Sequence, residues 1–107
     1  MEAPIGEDAD MAIAAMTVEL RMEMARSLKD RRQVVRSLKD TLRHGFNVSV
    51  AELDEAVTWQ SASVGIVAIS GSRDYLRGQM ELLERRVECL VAGLGAEISG
   101  CWWEFVD

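Results

Sequence analysis

A chain of 107 residues that is 49% hydrophobic and 28% charged has the make-up of one folded domain, unlike the low-hydrophobicity, high-charge balance of a disordered segment. No apolar run approaches the roughly 18–20 residues that cross a bilayer, and the acidic first ten residues are unlike a secretory leader, so the cytoplasm is the expected compartment, with no membrane partner. The formal charge of −6 speaks against a generally basic nucleic-acid binder, yet residues 26–44 hold seven Lys/Arg and two acids, a net +5 against −11 elsewhere.

Residues 1–10 combine Pro4, Gly6 and four acids without an apolar period, and are expected to be a flexible acidic tail, native or appended, before a single domain over 11–107. From Met11 the chain alternates, with Ala12, Ala14, Met16, Val18, Leu20 and Met22 on one side and Thr17, Glu19 and Arg21 on the other. That period of two predicts a half-buried strand over 11–23. Ser27 then stands three residues before Asp30, much as in a capping box, and Leu28, Val35, Leu38 and Leu42 form a helical stripe that Gly45 ends. Phe46, Val48 and Val50 alternate with Asn47 and Ser49 in a second strand.

Residues 52–60 have no clear period and are expected to connect the second strand to the third, an uncharged run over 62–70 that reads as a central strand. Ser72 caps a second helix with Asp74 in its first turn, an inward line of Leu76, Met80, Leu83, Val87 and Leu90, and an end at Gly93 and Gly95. A last strand follows over 96–106. The order β-α-β-β-α-β in two similar halves predicts an α+β, ferredoxin-like βαββαβ sandwich: two helices on one face of a four-stranded antiparallel sheet, strands one and three central.

Four stretches together, Thr17-Val18-Glu19-Leu20-Arg21, Ser27-Leu28-Lys29-Asp30-Arg31-Arg32, Asn47-Val48-Ser49-Val50-Ala51-Glu52 and Trp59-Gln60, carry a resemblance over roughly Met11 to Val91. They resemble the YlxP-like family of small bacterial proteins of unknown function. The resemblance implies a ferredoxin-like fold and, because genes of the family often lie beside those for translation initiation and ribosome assembly, a partner in that machinery. It supplies no catalytic residue.

At 100° per residue, Lys29, Arg32, Arg36, Lys39 and Arg43 share an arc of about 80° beside the apolar stripe of the first helix. Such a row fits a face for phosphates, and so for RNA or a ribosome-associated protein, or for an acidic partner. Its rival is an ordinary solvated helix surface. Arg31 falls near the middle of the stripe, where it either snorkels out at the first turn or pairs with Glu19 or Glu52. His44, the lone histidine, sits where the helix dipole favours a capping imidazolium. Glu52, Asp54 and Glu55 read as a solvated acidic loop rather than a calcium site, and Cys89 and Cys101, far apart, read as reduced structural thiols.

Three activities hosted by this fold lack their residues. Base-stacking RNA recognition needs aromatics on the central strands, and neither the first strand nor residues 62–71 has one. The turn before the first helix, Glu23-Met24-Ala25-Arg26-Ser27, has neither the Cys-x-x-Cys of a metal carrier nor the glycines of a phosphate loop. The expectation is therefore a non-catalytic interaction protein without cofactor or metal, acting through the basic helix face. The alternative is a self-associating homo-oligomeric module using the open sheet face and Trp102, Trp103 and Phe105; alternation sends Trp103 and Phe105 to one face of the last strand and Trp102 to the other. An enzyme centred on Glu52, Asp54 and Trp59 is the third reading.

Overall fold

The computed structural model describes residues 11–54 and 58–107. The acidic tail, residues 1–10, and Glu55 of the acidic loop lie outside the described residues. In chain order the elements are β1 (Ala12–Arg21), α1 (Leu28–Gly45), β2 (Val48–Glu52), β3 (Ser61–Ser70), α2 (Arg73–Gly93) and β4 (Glu97–Phe105). The strands form one antiparallel sheet in the order β2-β3-β1-β4, with both helices on one face, which is the ferredoxin-like arrangement.

The two halves fold for the same local reasons. Ser27 and Ser72 adopt extended backbone at the helix N-caps, and each hydroxyl accepts from the backbone N–H three residues on, at Asp30 and Tyr75. Gly95, at φ 76°, supplies the left-handed residue that lets the chain leave α2 and turn into β4. In the strands the period of two becomes burial: Ala14, Met16, Val18 and Leu20 of β1, and Ala62, Val64, Ile66 and Ala68 of β3, are buried under the helices. Val35, Leu38 and Leu42 of α1 and Leu76, Met80, Leu83 and Val87 of α2 close the core from above.

The inward helix lines differ from the sequence reading at two places. Leu28 is 37% exposed, and Arg31, 1% exposed, occupies the inward position of the first turn in its stead. Near the end of α2, Val91 is buried, while Leu90 is half-buried and turned toward His44 and Phe46. The helix there faces the end of α1 as well as the sheet, so two neighbouring residues share the packing.

Candidate functional site

Arg31 organises the basic side of the molecule. Its Nε donates to the Ser61 carbonyl at 2.9 Å, one guanidinium nitrogen pairs with Glu52, and the other donates to Asp54 Oδ1 at 3.4 Å. Asp54 Oδ1 also accepts from the Ser63 N–H at 3.0 Å. The start of α1 is thereby tied to the end of β2 and the start of β3. Glu19, the other partner considered from sequence, belongs to the opposite face, because its neighbours Val18 and Leu20 point into the core. Snorkelling is likewise set aside, since the guanidinium is withdrawn from water and each of its three nitrogens has a partner. Two of the three acids of the 52–55 loop are thus engaged with one cation.

Beside this clamp lies an open groove of about 330 Å³ between α1 and the free edge of β2. Arg32, Arg36, Lys39 and Arg43 line it, together with Val35, Asp40 and Glu52. Glu52 is committed to Arg31, and Asp40 lies 3.9 Å from Arg43. Among the described residues, Arg32, Arg36 and Lys39 have no carboxylate within 4.0 Å, so the groove presents cations without internal neutralisation. Lys29, the fifth member of the row, is exposed but does not line the groove. His44 Nδ1–H donates to the Asp40 carbonyl at 2.6 Å, closing the last turn of α1 just beyond the groove.

The opposite side of the sheet carries no helix. Val67 and Ile69 of β3 are 44% and 48% exposed there, and Leu53, just after β2, is 58% exposed. Trp102 of β4 lies on this face opposite Thr17 and is 50% exposed, whereas Trp103 pairs with Met16 on the helix side. Trp103 and Phe105 meet edge-to-face, ring centres 5.4 Å apart, and Arg73 caps the Phe105 ring at 4.0 Å. The three aromatics singled out in the last strand therefore divide, one at a surface and two in the packing beneath α2.

A family model described as "Protein of unknown function (DUF503)" matches residues 13–94, most of the chain. The chain belongs to the DUF503 family. It is 43% identical over 49 residues to the "Uncharacterized protein YlxP" of Bacillus subtilis (strain 168), a match that takes in 46% of this chain and about half, 53%, of that protein. Among solved structures it is similar to the Bacillus subtilis YXEP protein, a dinuclear metal binding peptidase of the M20 family, with a TM-score of 0.53, 13% identity, and coverage of 89% of this chain and 25% of that one. A C-terminal segment of the alpha subunit of aIF2 from Pyrococcus abyssi matches with a TM-score of 0.50 and 10% identity over 96% of this chain and 54% of that one. At those identities the two structural matches speak for a shared fold and for nothing more.

Sequence reasoning about this DUF503 chain missed Leu53, Val67 and Ile69 as surface residues. The signal was present: 62–70 carries no charge on either alternation, the pattern of a strand covered on both faces, and only one face has a helix. The cysteines differ in setting. Cys89 is exposed on α2, while partial burial beneath that helix, helped by Glu84 and Glu88, pushes the Cys101 thiol up to about 11.

Proposed function

We propose that this chain is a non-catalytic interaction protein whose groove along α1 takes the phosphate backbone of a single-stranded RNA segment, in the setting of translation or ribosome maturation that its family resemblance implies. The observation that carries the reading is the gathering of Arg32, Arg36, Lys39 and Arg43 along one groove whose two acids are already engaged by Arg31 and Arg43. From Arg32 to Arg43 the helix advances about 16 Å, a length suited to a few successive phosphates. Three uncompensated cations set close together cost a helix a few tenths of a kcal/mol per like-charged pair, which gives the arrangement some weight against a merely solvated face. The engagement of Glu52 and Asp54 by Arg31 supports treating those carboxylates as structural rather than as an acid–base pair.

The test is capture from a bacterial lysate with the wild type and with an Arg32→Glu, Arg36→Glu double variant, each with and without nuclease. RNA recovered by the wild type alone, and lost after nuclease, supports the reading. Recovery that ignores the double variant contradicts it.

A second reading is self-association, favoured by Trp102, Val67 and Ile69, which stand exposed on the helix-free sheet face. The two surfaces lie on opposite sides of the sheet and do not compete.

A further inference from the structure

The helix-free sheet face is self-complementary, and we propose that it is covered by a second copy of the chain, stacked face to face about a two-fold axis that runs along the strands between β3 and β1. The inference rests on the reading of self-association and specifies its geometry. The ladders place the outward residues in rows across the sheet. Ile13 lies opposite Ile69, Ala15 stands between Val67 and Glu104, Thr17 between Gly65 and Trp102, and Glu19 between Ser63 and Gly100. On the outer side of β3, Ser49 stands by Val67 and Ala51 by Gly65.

The proposed axis exchanges β3 with β1 and β2 with β4, and lays each row on its own counterpart. Every opposition it creates is then large against small, apolar against apolar, or charged against neutral. Trp102 faces Ala51 of the second copy, Val67 faces its Ala15, and Ile69 faces its Ile13. Glu19 meets Ser63, Arg21 meets Ser61, and Glu104 meets Ser49, so no charge lies directly over a like charge; Glu19 and Arg21 each flank the axis beside their own symmetry mates, and stand diagonally across it from each other with opposite sign. An axis across the strands would instead lay the apolar end of the face, with Ile13 and Ile69, on the charged end, with Arg21 and Glu97. Aligned sheets pack with a rotation of about 30°, which shifts neighbours within a row without changing which rows meet.

The size of the face fits the same occupant. With about 4.8 Å between strands and about 6.7 Å between successive outward residues, the sixteen outward positions of the four strands cover about 510 Å² per copy, or about 1,000 Å² for a pair. That reaches the floor of about 1,000 Å² for a specific interface and is smaller than the standard size of about 1,200–2,000 Å². Stacking would also give Val67 and Ile69 the cover that their strand composition calls for.

Charge exchange across the axis tests the geometry. Trp102 and Ala51 stand on opposite edge strands of one sheet, three strand spacings apart, so they can meet only between copies. The wild type, Trp102→Arg, Ala51→Glu and the double variant are compared by sedimentation velocity at low and high salt, with circular dichroism melts to confirm that each is folded. The expected result is a wild-type dimer, a loss of ten-fold or more in dimer affinity for each single variant, and recovery in the double variant that high salt removes. A double variant as dissociated as the singles overturns the axis but leaves self-association standing. A dimer indifferent to both single variants places the contact elsewhere and overturns the proposal alone, whereas a wild type monomeric at high concentration removes the proposal and the reading beneath it.

Discussion

Arg31 is the one charged side chain in the core among the described residues, and its place there depends on three acceptors converging from two strands. Removing one partner of a buried pair commonly costs 3–5 kcal/mol. Here the acids are 30% and 37% exposed and can rehydrate, so Arg31→Met is expected to cost less, about 2–3 kcal/mol. In a domain of this size that lowers the melting temperature by roughly 10–20 °C, readable in a thermal scan. Arg31→Lys should rescue little, because an ammonium lacks the planar fork that reaches Ser61, Glu52 and Asp54 together. An unchanged melting temperature in Arg31→Met would show that the clamp contributes nothing net. The thiols offer a second reading at this scale: an alkylating reagent near pH 8 should modify Cys89 and spare Cys101, whose ionisation is raised from 9.0 to about 11. Because the folded state holds that proton more tightly, the associated stability is complete below pH 9 and is lost as pH rises toward 11.

The elements show which parts of this architecture alternation and periodicity can carry. In α1, Leu38 is wholly buried against the sheet, and Leu38→Asp is expected to cost several kcal/mol by placing an unpaired charge there, seen as loss of the folding transition under native conditions. In β4, Trp103 packs against the core and Phe105, so Trp103→Ser should destabilise the monomer by about 3 kcal/mol rather than leave it intact, while Trp102→Ser should leave the melting temperature within a few degrees. The strands and helix faces were legible because burial here follows sequence period. The pairing of Arg31 was legible as a choice between Glu19 and Glu52, of which Glu52 holds, whereas Ser61 and Asp54 were not, because their approach depends on how β2 and β3 reach the first turn of α1. Parity does remove Glu19, which lies on the outward side of β1 with Thr17 and Arg21. Helical angle places Lys29 in the same arc as Arg32, and what it does not show is that the groove runs alongside β2, from Arg32 to Arg43, without Lys29 in its lining.

At the scale of the whole molecule the fold separates two surfaces of opposite character. The helix layer carries a groove of cations on a protein of net charge −6, and the far side of the sheet is a helix-free face, apolar at Ile13, Val67, Ile69 and Trp102 and charged toward Glu19, Arg21 and Glu97. A face-to-face pair would bury the second surface and present two basic grooves outward, raising avidity for a strand long enough to span them. Each groove alone should bind weakly, on the order of 10⁻⁴–10⁻⁶ M, as expected of backbone contacts without base readout. The most direct measurement of the central claim is the salt dependence of binding to a fluorescent single-stranded RNA. Three phosphate contacts, from Arg32, Arg36 and Lys39, predict a slope of about −2.1 in log affinity against log salt; Arg36→Gln should flatten it to about −1.4, and Lys29→Gln should leave it unchanged. Equal flattening by Lys29→Gln and Arg36→Gln, or binding that neither salt nor Arg36→Gln alters, would contradict the assignment of the groove as the site of contact.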